Sequence, residues 1–408
     1  MTAWLTVVGI GEDGLGGLGA RARAAVEGAG ILVGGARHLA HILDDGRPRI
    51  SWSGGLDAGI EAISRHAGNP VCVLASGDPL NFGIGKRLVA RFGIDAMTIL
   101  PAPGAFSLLA ARMGWSIADG TVRCVSSHAF PVDVLNRHLL PGMRLLILSR
   151  NGETPAAAAD LLVRRGFEMS PMTVFEHMGG DEEGRYDTVA DEWEGRRVKD
   201  LNVIAVQCHP GPNAKIWPET PGLPEAAFRH DGKITKREVR AATIARLAAM
   251  PGQTLWDVGA GSGAVAIEWL RAAADTQAVA IESDPARFDD IEANARDLGV
   301  PHLHLVKGRA PAAFVDAREV SGGPPDAIFI GGGLSALGLG AGCFEALKPG
   351  GRLVANGVTL EAQEALTRLY RELGGEMTKI SVARSDAVGS MTAMRPLMDV
   401  LQWSVTKP

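Results

Sequence analysis

The 408-residue sequence predicts an α/β protein in two parts. Three features carry that prediction: apolar runs of strand length alternate with segments of helical periodicity, one proline-rich stretch interrupts the alternation, and the runs after it are apolar almost throughout. Strands covered by helices on both faces show continuous apolar runs of that kind.

In the first part the predicted strands are Leu5–Val8, Ile31–Val33, Val71–Leu74, Thr98–Leu100, Arg144–Leu148, Met172–Phe175 and Asn202–Val206. Helical spacing falls between them at Ala20–Glu27, Gly85–Arg91, Ser107–Met113 and Pro155–Arg165. The break comes at His209–Pro224, where Pro210, Pro212, Pro218, Pro221 and Pro224 remove backbone donors and bias their predecessors away from helix. It reads as a linker between a domain at 1–208 and another at 225–408. In the second part Thr254–Val258, Ala278–Glu282, Leu303–Lys307, Ala327–Ile330 and Arg352–Ala355 read as parallel strands. Helices at Ala264–Ala273, Pro285–Leu298, Gly340–Leu347 and Leu360–Leu373 lie between them. That order is doubly wound and Rossmann-like.

Composition removes several classes of function. The net charge is −5 and aromatic residues are 5% of the chain, a poor basis for neutralising a phosphate backbone or stacking bases. A nucleic-acid partner is therefore not expected. Cys72, Cys124, Cys208 and Cys343 lie far apart, with no close pair for a disulfide or zinc knuckle. The N-terminus lacks a basic leader, and Ala327–Phe344, though uncharged, is too rich in glycine for a membrane span. A soluble, cytoplasmic protein is expected. His38 and His41 stand at i, i+3 without an evident third ligand, so no metal is expected either.

Glycine stands out, at 52 residues, about twice the usual share of roughly 7%, and it gathers in loops that follow strands. Asp257-Val258-Gly259-Ala260-Gly261-Ser262-Gly263 follows a strand and opens a helix, and Glu282 ends the next strand. Glycine permits close backbone approach, and a carboxylate at that place can accept hydrogen bonds from ribose hydroxyls. Asp257 suits a cationic ammonium better than a phosphate, so a nucleoside site without phosphates is favoured. Gly9-Ile10-Gly11-Glu12-Asp13-Gly14 matches the dinucleotide pattern literally, but Glu12 and Asp13 would repel a pyrophosphate and no ribose acid ends the next strand. An NAD-dependent oxidoreductase is disfavoured on both counts.

Two more loops complete a set. Ser76-Gly77-Asp78-Pro79 follows a strand, and Pro101-Ala102-Pro103-Gly104-Ala105-Phe106-Ser107 leads into a helix. With Val8-Gly9-Ile10-Gly11, Ala110-Ala111-Arg112 and Glu176 ahead of Gly179-Gly180, residues 1–208 resemble the tetrapyrrole methylases, S-adenosylmethionine (SAM) enzymes that methylate ring carbons. Many members continue the first loop with Pro-Gly, where this chain has Glu12-Asp13. Residues 225–408 resemble the class I methyltransferases of cobalamin synthesis that methylate and decarboxylate precorrin rings. That likeness runs through Asp231–Arg240, the Asp257–Gly263 loop, Glu282, Gly308-Arg309-Ala310 and Phe329–Gly333.

The resemblance implies a two-lobed tetrapyrrole methylase domain followed by a Rossmann-like class I methyltransferase domain, with two SAM sites. Gly77, Asp78, Pro79 and Ser107 would hold the first SAM. Thr235, Gly259, Ala260, Gly261, Ser262, Gly263, Glu282 and Ala310 would hold the second. Gly9 and Gly11 would line the substrate trough. The implied reaction is methylation of a precorrin at carbons 5 and 15 with loss of carbon dioxide from the ring C acetate, on a metal-free or a cobalt-containing ring. A ring rich in carboxylates calls for cationic anchors, and Lys236, Arg237 and Arg240 beside Thr235 are the candidates. No catalytic acid or base is assigned, since enamine-like bridge carbons are already nucleophilic. A homo-oligomer is expected. An RNA methyltransferase, which the charge opposes, and a scaffold with one inactive half are the remaining alternatives.

Overall fold

The computed structural model describes residues 3–408, and the chain divides into two compact units. The first comprises the chain up to Val132 and Pro141–Ala214. The second comprises Lys215–Pro408 together with the short stretch Asp133–Leu140. No described helix is long and apolar enough to cross a membrane.

The first unit holds two sheets. Strands β1 (Leu5–Ile10), β2 (Ile31–Gly34), β3 (Arg49–Ser51), β4 (Val71–Ser76) and β5 (Met97–Leu100) alternate with α1 (Ala20–Glu27), α2 (Ala36–Ala40), α3 (Leu56–Ser64) and α4 (Gly85–Phe92). They form a parallel sheet of order β3-β2-β4-β1-β5. Its central strands are buried on both faces, with Leu5, Val7, Val8, Val73 and Leu74 inaccessible to solvent, as continuous apolar runs require. The second sheet contains β6 (Val122–Ser126), β7 (Arg144–Leu148), β8 (Pro171–Glu176), β9 (Gly184–Val189) and β10 (Asn202–Gln207), in the order β6-β7-β10-β8-β9. Only β6 and β7 are parallel; the other pairs are antiparallel. Helix α5 (Ala105–Met113) buries Phe106 and Leu109 against this sheet and stops at Gly114 in the left-handed conformation, φ +65°. Helix α6 (Thr154–Arg165) starts with Pro155 in its first turn, where a missing N–H costs nothing, and ends at left-handed Gly166.

The second unit is one seven-stranded sheet with helices on its faces. Its elements are α7 (Arg237–Leu247), β11 (Thr254–Val258), α8 (Ala264–Ala272), β12 (Gln277–Glu282), α9 (Phe288–Asp297), β13 (His304–Lys307), α10 (Phe314–Val320), β14 (Ala327–Ile330), α11 (Leu339–Ala346), β15 (Arg352–Gly357), α12 (Leu360–Leu373), β16 (Glu376–Ile380), β17 (Ala383–Val388), β18 (Met391–Pro396) and β19 (Val400–Thr406). The order is β13-β12-β11-β14-β15-β19-β16, with β19 inserted antiparallel between β15 and β16. Strands β17 and β18 form a separate hairpin, tied at its base by Arg384, which donates to Glu225 and Glu238 at 2.8 and 2.6 Å. Trp256, Trp269 and Trp403 fill the core around the sheet.

Two expectations change here. The proline-rich stretch is not a free linker in its second half, because Leu223 is buried and the Trp217 and Pro218 carbonyls accept from Arg271. The second change concerns Arg240, which is no substrate anchor. Its side chain is wholly buried and pairs with Glu268 at 2.8 Å, while its remaining donors go to the Thr235 and Leu223 carbonyls. Glu268 completes the clamp by accepting from the Gly222 and Leu223 amides at 2.8 and 2.9 Å. All three Arg240 nitrogens and both Glu268 oxygens are hydrogen-bonded inside the fold, which is the condition under which a buried ion pair is tolerated; removing one partner costs about 3–5 kcal/mol. Helical spacing placed Arg240 near Thr235 correctly, but it turns inward and holds the Thr235 loop from behind.

Candidate active site

In the second unit the loops that leave β11, β12 and β14 meet at the carboxyl edge of the sheet, where open α/β sheets bind their ligands. They enclose a cavity of about 410 Å³. Gly259, at φ +70°, lies so close to the loop after β14 that a Cβ would stand 2.9 Å from the Gly332 nitrogen. Gly261, at φ +62°, has the opposite surroundings: a Cβ would meet nothing nearer than the Lys233 carbonyl at 3.8 Å, so its bare backbone faces open space. The loop is held from outside by buried Asn294, which donates to the Ser262 and Arg229 carbonyls at 2.9 Å and accepts from the Arg229 amide at 2.7 Å.

Glu282 lies on the cavity wall and organises both neighbouring loops. One carboxylate oxygen accepts from the Gly261 amide at 2.8 Å, the other from Ser283 and Asp284 at 2.7 and 2.9 Å, and Arg287 stands 3.6 Å away. A carboxylate offers about four acceptor directions, so capacity remains for a ligand hydroxyl. Asp257 does not face the cavity. It accepts from the Ala266 amide at 3.0 Å in the first turn of α8 and leaves its other oxygen without a partner. Burial pushes its carboxyl up to about 7; the Ala266 hydrogen bond works against that rise and the Glu282 charge adds to it.

Thr235, Gly259, Ala260, Gly261, Ser262, Glu282 and Ala310 all line this cavity. Gly263 does not: it precedes α8 at φ +75°, and a Cβ there would press against Ile291 at 3.2 Å. Lys236 and Arg237 are also absent from the wall, because Lys236 caps α7 and Arg237 is turned to solvent. The cations on the wall are Lys233, Arg287 and Arg309. Sequence reasoning quoted Lys233 and Arg309 inside motifs but chose the helical cations beside Thr235, whereas the loops carry the positive charge.

The first unit brings its loops together by glycine contacts as well. A Cβ at Gly9 would overlap the Gly77 carbonyl oxygen, and one at Gly77, φ +52°, would lie 2.6 Å from the Gly104 Cα. The Gly77 amide donates to the Ile10 carbonyl and the Ala102 amide to the Gly77 carbonyl, at 3.1 and 3.2 Å. Strands β4, β1 and β5 are neighbours, so these are the three adjacent carboxyl ends of the sheet. Asp78 accepts from the Leu80 amide at 2.9 Å, Pro79 is buried, and Ser107 is exposed on the first turn of α5. Gly9 is therefore accounted for by backbone packing, while Gly11 is half-exposed beside Asp13. The literal dinucleotide pattern opens only a short 3-10 turn at Gly14–Gly17 and no α-helix, since α1 begins at Ala20. Arg112 makes two hydrogen bonds of 2.6 Å to Glu183, which also accepts from the Gly179 amide at 2.7 Å. Among the described residues no group of three His, Cys, Asp or Glu side chains is arranged to hold a metal ion.

The chain is 44% identical over 409 residues to precorrin-6Y C(5,15)-methyltransferase [decarboxylating] of a Sinorhizobium species, a match covering 100% of this chain and 97% of that one. It is 41% identical to the Mycobacterium tuberculosis (strain H37Rv) protein of the same name, over 99% of this chain and 100% of that one. The chain belongs to this family. The tetrapyrrole (corrin/porphyrin) methylase family matches residues 4–193, and the precorrin methyltransferase domain family matches residues 226–407. A solved structure, the C-terminal domain of precorrin-6Y C5,15-methyltransferase from Rhodobacter capsulatus, is 41% identical, with 47% of this chain and 100% of that one covered, at a TM-score of 0.43. Methyltransferases of the precorrin-6Y family use SAM. The second-unit cavity fits that cofactor, with a bare glycine cradle at Gly261 and a carboxylate at Glu282.

Two outcomes follow from this geometry. Replacing Glu282 with Ala weakens SAM binding in the second unit by about 1–3 kcal/mol, through loss of charge-assisted hydrogen bonds; titration calorimetry reads it, and unchanged affinity would contradict the placement of the ribose. Asp257 gives the second. Its carboxyl is raised on folding, so the stability it contributes is complete below the unfolded value near 3.8 and is lost as pH rises toward about 7. Between pH 5 and pH 8 the melting temperature of wild-type protein therefore falls more than that of Asp257→Asn, which keeps an acceptor for the Ala266 amide and cannot ionise. Equal falls in scanning calorimetry would contradict a raised carboxyl.

Proposed function

We propose that this chain methylates a precorrin at carbons 5 and 15 and decarboxylates the ring C acetate side chain, giving precorrin-8 in cobalamin biosynthesis. Family membership over the whole chain carries the reaction. The second unit is the site of carbon-15 methylation and decarboxylation, and the first is the site of carbon-5 methylation. The observation that supports this division is that each unit has its own set of glycine loops at the carboxyl edge of its own parallel strands. Two SAM sites per chain follow: Gly77, Asp78, Pro79 and Ser107 in the first unit, and Thr235, the Gly259–Gly263 loop, Glu282 and Ala310 in the second.

When bound, SAM supplies an electrophilic methyl group on a sulfonium. The residues of this chain orient the partners. Glu282 accepts from a ribose hydroxyl while its backbone donors fix its rotamer, and the Gly259 backbone packs against the loop at Gly332. Lys233 and Arg309, on the open wall, meet the acidic side chains of the ring. Much of the rate then comes from alignment of an already nucleophilic carbon with the methyl group. Loss of carbon dioxide leaves an electron pair that the conjugated ring absorbs.

The full-length variant Gly261→Val separates the units. Valine is strained at φ +62° and its branches project into the cradle. The expected result is loss of carbon dioxide release together with one methylation, while a decarboxylated, singly methylated ring is still accepted by the first unit. Mass spectrometry of the tetrapyrrole checks it. Normal carbon dioxide release by the folded variant would move the decarboxylase out of the second unit.

A further inference from the structure

We propose that His177 is the proton acceptor for methyl transfer in the first unit, held in its working tautomer by Glu12; this rests on the reading of that unit as a methyl-transfer site. His177 follows β8 directly, and its ring nitrogen Nδ1 lies 2.7 Å from Glu12 Oε2, in the loop after β1. The two residues come from different sheets of the unit and meet where Gly180 has no side chain; a Cβ there would stand 2.8 Å from the Glu12 Cβ. His177 reaches this position with φ +44°, a conformation that is strained for a non-glycine residue and that collects at functional sites. Its amide donates to the Leu201 carbonyl at 3.1 Å, and its carbonyl accepts from the Gly180 amide at 3.0 Å, so the backbone is held there.

The other members of the cluster settle which ring nitrogen is free. Glu12 is 13% exposed, and its second oxygen is paired with Arg37. Burial works to raise its carboxyl, but the His177 hydrogen bond and the Arg37 charge outweigh burial and hold it below the ordinary value. The carboxylate is thus an acceptor only, so His177 donates to it from Nδ1, and Nε2 is the ring nitrogen left for a substrate. Arg37 is fixed in turn by Ser76 Oγ at 3.2 Å and His38 Nε2 at 3.1 Å. Burial, then the Arg37 charge, pushes His38 down to about 4, leaving it a neutral acceptor. The further acid near His177, Glu182, is occupied by Lys199 at 2.5 Å. Ser76 immediately precedes Gly77-Asp78-Pro79, which makes the cluster continuous with the loops assigned to SAM. A carboxylate behind an imidazole whose far nitrogen is open is the arrangement that makes histidine a general base.

The chemistry has a place for such a group after the methyl group has moved. A bridge carbon carrying hydrogen uses a ring electron pair to take the methyl group, and the carbon–sulfur bond pair stays on sulfur as a thioether. Substitution is complete when the carbon–hydrogen bond breaks, its electrons return to the ring, and the proton passes to His177 Nε2. The Glu12 carboxylate stabilises the resulting imidazolium. The His177 side chain is 24% exposed, so water can remove the proton afterwards.

Three measurements on the full-length protein test this. His177→Gly is suited to φ +44° and leaves a ring-sized space. Its carbon-5 methylation should fall by about 10²–10⁴-fold and recover with added imidazole, while calorimetry still finds SAM bound in the first unit. In ¹⁵N-histidine spectra of wild type at pH 8, the His177 signal should be the Nδ1–H tautomer, and Glu12→Gln should shift it toward Nε2–H. Methylation at the wild-type rate, loss that imidazole does not restore in a variant that binds SAM, or an Nε2–H tautomer in wild type would each overturn the proposal. Absence of SAM from the first unit of wild-type protein would instead overturn the reading beneath it.

Discussion

Both units depend on backbone meeting backbone where adjacent parallel strands end. At Gly9 and Gly77 in the first unit, and at Gly259 in the second, the space that a Cβ would occupy already contains a neighbouring loop. Loops in such contact cannot be separated by side chains, so they hold a fixed shape against one another. The glycines of these loops have their physical reason here. A surface of bare amides and carbonyls leaves the main chain open to close approach, and two unrelated sheets use the same device.

Charge is arranged around those loops in layers. The innermost carboxylates and cations belong to the fold: Glu268 and Arg240 bond to one another and to the surrounding backbone, and Asp257 is so enclosed that burial favours its neutral form. Glu282 is intermediate, tied by three amides yet still on the cavity wall. Only the outer cations, Lys233 and Arg309, are free of such ties in the site and available to an acidic ring. Position along the sequence does not separate these layers. Arg240 and Lys233 are seven residues apart, yet one is inside the domain and the other on its rim.

That difference explains how much was legible in advance. Thr254–Val258 and Ala327–Ile330 were evident because strands buried on both faces need unbroken apolar runs, and the structure has them with those bounds. The glycine loops were legible for the same reason that they exist, since few other residues fit. The β17–β18 hairpin was not, because its residues other than Arg384 are exposed and alternate no apolar face. Strand β9 and the antiparallel character of the second sheet were missed similarly, since pairing direction leaves no mark on a short polar strand. The side chain of a helical arginine points inward or outward according to partners far away in sequence, and Glu268 could not be seen from Arg240. Likewise Glu12 looked only like an obstacle to phosphate until the fold set it against Arg37 and His177.

The central claim is that two independent methyl-transfer sites occupy one chain. The most direct measurement is the stoichiometry of SAM binding to the intact protein by titration calorimetry, with active concentration fixed by quantitative amino-acid analysis. Two SAM molecules per chain, one of them lost in Gly261→Val, is the result this account predicts. A single molecule per chain in fully folded protein would contradict it.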